Sequence, residues 1–351
     1  MVILQRSPQV ARYGWPQNKP PKHLQLITVS RAKTLKQKQD TNTTLRRGFW
    51  QTPPTVRQIY EIIRWRPEMV YSSEASLFCW PALMYSVLTG VPLVLETDMG
   101  PVTSKRLSVL KRWNQWLFRK RAALILARTT DAAHYGDKTV FAPHAVHAER
   151  FTPRKGKERL GRKKPIFLFV GIPSNTKGLD LFARAAARAE TKVLFECRLV
   201  GADRLGSHKI GEIFRQAGFQ GPLTIKRFLF GPSLLSEYQK AAAFVFPSRF
   251  DTYGVSVHEA ACCGLPLLVS RHAGASQNLV VEGKNGHVID PENTEQFAAR
   301  LVELAQNALL CKRMGSESRK LGLLYSVEKQ AEKVSRRILG LTGKGSGHSL
   351  G

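Results

Sequence analysis

The sequence predicts an α/β protein of two domains with a parallel sheet in the second, and three observations predict it. Apolar runs alternate with segments of helical period through the second half of the chain, the order that a parallel sheet with covering helices requires. Residues 244–270 (FVFPSRFDTYGVSVHEAACCGLPLLVS) form one such unit: buried strand, polar loop, short helix stopping at Gly264, second buried strand. The chain has 351 residues, 43% of them hydrophobic, more than the roughly 250 at which a single core stops growing.

In chain order, 23–29 and 91–95 read as strands, 55–65 has helical spacing at Val56, Ile59 and Ile63, and 69–71 reads as a short strand. Between them, 31–47 is polar and basic and reads as a loop. Residues 104–121 form a basic amphipathic helix with Leu107, Leu110, Trp113 and Leu117 on one stripe and Lys105, Arg106, Lys111, Arg112, Arg119 and Lys120 around it. That segment has two readings: a helix whose Leu and Trp stripe packs on the first sheet, the one favoured for the aromatics, and a helix lying on an anionic membrane. Residues 124–127 follow as a strand, and the charged run 154–164 (RKGKERLGRKK) reads as the linker between domains.

Beyond the linker, 166–170 is a strand ending at Gly171, and Leu179, Phe182, Ala183 and Ala186 mark one helix face. Strands follow at 193–200 and 223–230, then a helix at 234–242. Asn293 with Gln296 resembles a capping box ahead of a helix carrying Phe297, Leu301, Leu304 and Ala308. A last helix at 326–341 is expected to cross back to the first domain, and 342–351 is a Gly/Ser tail with nothing to bury. The expected layout is thus domains over 1–153 and 165–325.

Composition narrows the classes. No apolar run approaches the roughly 18 residues of a membrane span and 1–14 lacks the apolar centre of a signal peptide, so a cytoplasmic protein is expected, with peripheral attachment to the inner membrane face as the alternative. The five cysteines show no CxxC pair and read as buried free thiols. A net charge of +28 favours polyanionic partners, whether nucleic acid, anionic lipid or phosphorylated substrate. No finger, RNA-sheet or helix-turn-helix signature accompanies that charge, so no specific nucleic acid is expected.

Ligands of open α/β sheets sit beyond the carboxyl ends of the strands, where helix N-terminal amides meet anions. Asp251 and Gly254 then lie at a crevice mouth, and Glu259, a turn or more into the following helix, reaches the same ligand further along. Glu96 and Asp98 imitate a metal-binding pair, but two acids one residue apart are common, and no metal or other cofactor is expected. His134, His144, His147, His258 and His272 show no ligand spacing on one helix face, and His258 reads as a neighbour of Glu259 and not as a base.

Residues 169–180 (FVGIPSNTKGLD), Phe230 with Gly231, 246–266, and 273–291 (AGASQNLVVEGKNGHVIDP) resemble, in order and spacing, the signature segments of the retaining GT-B glycosyltransferases with an E-x7-E motif, the glycosyl transferases group 1. The resemblance covers 165–306 strongly and the front half weakly, through 70–73, 91–98 and 140–153. It implies two Rossmann-like domains facing across a cleft and a nucleotide-diphosphate sugar held on the second. The acceptor, a glycan or lipid-linked precursor of cell-surface polysaccharide or glycolipid, comes from the first domain, with Glu96 and Asp98 on its side.

The resemblance assigns donor contacts to Gly171, Lys177, Phe230, Asp251, Tyr253, Gly254, Val255 and Glu259. Lys177 and the amides of Tyr253, Gly254 and Val255 would hold the diphosphate without a metal. Asp251 would bind the sugar's hydroxyls and steady its developing positive charge, and Glu259 would take the two ribose hydroxyls, since a carboxylate accepts two hydrogen bonds from a vicinal diol. Retention is ascribed to same-face attack, with the departing phosphate taking the proton, so no enzymic base is assigned. The sequence departs from the pattern at Asp251, where Glu is usual, at Ile172, where Arg is frequent, at Gln277, where an acid is common, and at 96–98, where many members have a histidine. An inactive relative, and a polyanion-binding protein on a Rossmann-like scaffold, stand as alternatives.

Overall fold

The computed structural model describes residues 2–5, 27–30, 45–46, 63–64, 66–72, 75, 79–105, 107–154, 164–202 and 206–341. The chain divides into two compact units, Met1–Ala145 with Val327–Gly351, and Val146–Ser326.

In the first unit, seven parallel strands run in the order β3-β2-β1-β4-β5-β6-β7. They are β1 (Val2–Gln5), β2 (Ile27–Ser30), β3 (Leu45–Arg46), β4 (Val70–Ser72), β5 (Leu93–Thr97), β6 (Ala122–Ala127) and β7 (Thr139–Phe141). Side chains alternate between faces, as the two-residue strand period demands. The helices here are α1 (Trp80–Thr89), α2 (Pro101–Ser104), α3 (Val109–Arg121) and α4 (Thr130–Ala133). Val70, Leu93, Leu95 and Ile125 meet Cys79 just ahead of α1, Ala82 and Leu83 of α1 and Phe118 of α3. On the other face Tyr71, Val94, Leu124 and Leu126 meet Val327, Val334 and Ile338 of the C-terminal helix Val327–Leu341.

The helix expected over 104–121 is interrupted. Ser108 is extended (φ −61°, ψ 156°), so α3 begins only at Val109. The buried stripe is also rotated from the one anticipated. Asn114 accepts from Trp80 Nε1 at 2.8 Å, Leu117 and Phe118 enter the core, and Arg121 reaches the Ser86 carbonyl, an i, i+3, i+4, i+7 set. Leu110 and Trp113, placed on the packed stripe by the favoured reading, are 74% and 51% exposed. The segment read as a loop at 31–47 contains the short strand Leu45–Arg46, and most of the helix expected over 55–65 lies outside the described residues.

The second unit holds six parallel strands in the order β10-β9-β8-β11-β12-β13. These are β8 (Ile166–Val170), β9 (Glu196–Val200), β10 (Leu223–Lys226), β11 (Ala243–Phe246), β12 (Leu267–Ser270) and β13 (Gly286–Ile289). Helices α5 (Leu179–Glu190), α6 (Ser207–Gln216), α7 (Gly231–Lys240), α8 (Val255–Cys262), α9 (Ser276–Leu279), α10 (Thr294–Gln306) and α11 (Ala308–Leu324) cover the sheet. Near-continuous apolar runs such as IFLFV in β8 are what a strand covered on both faces requires. Phe182 of α5 joins the helices, edge-on to Phe214 and stacked on Phe297.

The strand expected over 223–230 stops at Lys226, leaving Phe228 and Phe230 exposed before Gly231 and Pro232 open α7. The division between units falls at Ala145/Val146 and not at 153. Residues after it are bound to the second unit: Arg319 donates to the carbonyl of Phe151 at 2.7 Å, and the Phe151 ring stands edge-on to Tyr238. Of the expected linker, 155–163 lies outside the described residues. All five cysteines are buried thiols. Among the described residues no helix is long and apolar enough to cross a membrane.

Candidate active site

The second sheet's strand order reverses between β8 and β11, the position at which an open α/β sheet offers a ligand crevice. The two loops leaving those strands are sewn together. Gly178 has φ +65°, and a Cβ there would stand 2.1 Å from the Pro247 carbonyl oxygen, so only glycine lets the turn after β8 touch the exit of β11. Arg249 closes the seam: its amide donates to the Thr176 carbonyl at 2.8 Å and its guanidinium to Asp180 Oδ1 and Oδ2 at 2.8 and 2.7 Å. The same side chain reaches the Asn175 carbonyl and Glu292. Hydrogen bonding from Arg249, against the opposing pull of burial, holds the Asp180 carboxyl below its usual range.

The seam delivers Lys177, 74 residues away in sequence, onto Asp251. The ammonium donates to Asp251 Oδ2 and lies 5.1 Å from the centre of the Phe246 ring. Asp251 is fixed on its other sides: its amide donates to the His272 carbonyl, its carbonyl accepts from Gly274, and Oδ1 accepts from the Tyr253 amide at 3.0 Å. That last bond corrects one expectation, because the Tyr253 amide is committed to Asp251 and not presented to a phosphate. The N-cap of α8 is Gly254 (φ +93°), with Val255 opening the helix. Asp251 therefore closes a turn ahead of the helix and does not cap it.

Glu259 lies one turn deeper on α8, 4% exposed, and its Oε2 accepts from the Tyr238 hydroxyl at 2.7 Å. A row of rings connects it to the lysine's seat: Phe169 on Phe246, Phe246 on Phe244, and Phe244 against Tyr238, at centroid distances of 6.3, 6.2 and 5.9 Å. His258 points elsewhere, fully buried with Nε2 2.9 Å from the Gly322 carbonyl oxygen, which makes it structural. Gly171, directly after β8, donates its amide to the Val200 carbonyl and is followed by the part-exposed Ile172. Phe230, 60% exposed, stands with Phe228 at the exit of β10, their rings 4.6 Å apart.

The remaining two candidates sit in the first unit. Glu96 is buried, and Arg128 donates to it at 2.6 Å and to the Ala142 carbonyl at 2.9 Å, so this acid ties the ends of β5 and β6 together. Asp98, two residues on, lies 2.9 Å from His144 Nε2. Sequence reasoning missed Tyr238 and the grip of Arg249 on Asp180. The Arg249 guanidinium is occupied by Asp180 and Glu292.

Residues 151–321 match the family described as glycosyl transferases group 1. Over 239 residues the chain is 26% identical to the D-inositol 3-phosphate glycosyltransferase of Paenarthrobacter aurescens, covering 64% of this chain and 57% of that protein. Over 216 residues it is 30% identical to the D-inositol 3-phosphate glycosyltransferase of Geodermatophilus obscurus, covering 53% and 46%. The chain thus spans about half the length of the curated relatives it matches. The crystal structure of Anabaena Alr3699/HepE in complex with UDP superposes with a TM-score of 0.75 over 97% of this chain and 99% of that one, at 12% identity, a likeness of fold. Both units accordingly are Rossmann-like domains of the GT-B kind.

Proposed function

From a glycosyl transferases group 1 match over residues 151–321, we propose that this chain is a retaining glycosyltransferase that moves a hexose from a nucleotide-diphosphate sugar to a glycan or lipid-linked acceptor. The observation that carries the reading is the pairing of Lys177 with Asp251 at the switch point of the second sheet. Breaking the anomeric bond leaves a cation-like sugar and adds negative charge to a diphosphate, so a lysine and a carboxylate side by side match the two charges that develop. Lys177 and the amides of Gly254 and Val255 at the start of α8 serve the diphosphate, which makes a metal unnecessary. Asp251 faces the sugar, Glu259 the ribose diol, and Phe230 with Gly171 the rest of the nucleotide. The UDP bound by the HepE structure supports a nucleotide as the donor's carrier.

Melting in the presence of UDP, GDP and ADP tests this, because a ligand of the folded state raises the midpoint. One nucleotide should stabilise the protein and lose that effect in Glu259→Ala. No stabilisation by any of them, together with salt-sensitive DNA binding, would favour the polyanion-binding alternative.

The first unit supports a lipid-linked acceptor and peripheral attachment to an anionic membrane. Helices α1 and α3, joined by the Trp80–Asn114 bond, expose Val87 and Leu88 on one and Val109, Leu110, Trp113 and Trp116 on the other. Neither helix has an acidic residue, and α3 has Lys111, Arg112, Arg119, Lys120 and Arg121. Apolar and aromatic residues among cations suit the boundary of an anionic bilayer. Sedimentation with phosphatidylglycerol vesicles should exceed that with phosphatidylcholine and fall in Trp113→Ser/Trp116→Ser; equal pelleting with both vesicles would remove the proposal.

A further inference from the structure

We infer that Tyr238 is a positioning residue: its buried hydroxyl sets the Glu259 carboxylate in the orientation that receives a ribose diol. The inference rests on the ribose role proposed for Glu259. The geometry carries it further, because a glutamate one turn into a helix has several staggered rotamers, and a charge-assisted O–H···O⁻ bond selects among them. At 2.7 Å, with the donor ring fully buried and the acceptor residue 4% exposed, that bond has little competition from water.

The tyrosine itself has no freedom to wander. Its ring is held between Phe244 and Phe151, each at a centroid distance of 5.9 Å. The preceding residue, Glu237, is buried against three cations, Lys226 at 3.0 Å, Arg198 at 3.2 Å and Lys240 at 3.5 Å. Two of these belong to β9 and β10, so α7 is moored to the sheet and cannot slide along it. The hydroxyl of Tyr238 is thereby a fixed point from which Glu259 is aimed before any ligand arrives, which removes an ordering cost from binding.

A merely structural tyrosine would affect every nucleotide alike, whereas an orienting one affects only those with a ribose diol. The test compares dissociation constants for whichever of UDP, GDP and ADP stabilises the protein and for its 2′,3′-dideoxy counterpart. A hydrogen bond to a charged group discriminates about tenfold or more, so the wild type should prefer the ribonucleotide by about that factor. Tyr238→Phe should cut the preference several-fold while dideoxynucleotide affinity stays within about twofold. Full retention of the preference in Tyr238→Phe, or equal weakening of both ligands, would overturn the inference. Glu259→Gln separates the two claims: if it leaves the preference intact, the ribose role of Glu259 falls, and the role of Tyr238 with it. Should Tyr238→Phe not fold with a buried carboxylate left short of a donor, the double variant Tyr238→Phe/Glu259→Gln carries no such charge. It should match Glu259→Gln alone, and a further loss of preference in the double variant would contradict the inference.

Discussion

Arg249 and Asp180 meet through two parallel hydrogen bonds of 2.8 and 2.7 Å, and this fork is what holds the lysine-bearing turn after β8 against the exit of β11. Its stability value is small, because both side chains are partly exposed and such pairs contribute about 0.5 kcal/mol. Its value for placing Lys177 is larger. Arg249→Ala should lower the melting temperature only slightly yet cut kcat/KM by roughly tenfold, since small misplacements of a catalytic group are costly. A loss of activity no greater than that of an exposed control such as Arg336→Ala would remove the positioning role.

Asp251→Asn keeps size and hydrogen bonding to the Tyr253 amide but removes the charge beside Lys177. Turnover should fall by roughly 100-fold or more with donor KM changed far less, the signature of an interaction strengthened in the transition state. Equal changes in both constants would mean that Asp251 serves ground-state binding.

Because the proposed diphosphate contacts are Lys177 and helix amides, activity should persist after exhaustive EDTA treatment. A strict requirement for added divalent cation would contradict that assignment.

Gly178→Ala should destabilise the fold by about 2 kcal/mol or more, combining a left-handed backbone with a Cβ 2.1 Å from the Pro247 oxygen. Urea midpoints of wild type and variant check it, and a shift within error would mean that the seam yields easily.

Acid should weaken the second unit in a defined direction. Burial pushes the Glu237 carboxyl up, but Lys226, Arg198 and Lys240 pull it further down, and Arg249 does the same to Asp180. Each folded-state pKa is lowered from that group's ordinary value, so the folded state takes up protons less readily. Their stabilisation is complete above about pH 5 and is lost as the pH falls through 4 and below. The urea midpoint should drop between pH 6 and pH 3.5 and drop less in Glu237→Gln; identical pH dependence in that variant would contradict the account.

Much of the second unit was legible because its signals are local. Apolar runs such as IFLFV and a glycine stop such as Gly264 state their structure within a few residues, and the Asn293 cap forms as its spacing predicts, accepting from the Gln296 amide at 3.0 Å. The helix at 104–121 misled because Leu107, Leu110, Trp113 and Leu117 satisfy one helical stripe while Asn114, Leu117, Phe118 and Arg121 satisfy another, and hydrophobicity alone prefers the wrong one. Strands β7 (TVF) and β13 (GHVI) went unread because a threonine in one, and a glycine and histidine in the other, leave each only two consecutive apolar residues. The Arg249–Asp180 and Tyr238–Glu259 contacts were invisible for a different reason: they join residues 69 and 21 positions apart, and no local pattern records such a meeting.

The central claim is that Lys177 meets the diphosphate of a nucleotide at the exits of β8 and β11. The most direct measurement is a crystal structure of the protein soaked with the nucleoside diphosphate that stabilises it. The account predicts a phosphate oxygen within about 3.2 Å of Lys177 Nζ, with the ribose hydroxyls on Glu259. A nucleotide seated away from Lys177 and Glu259 would contradict it.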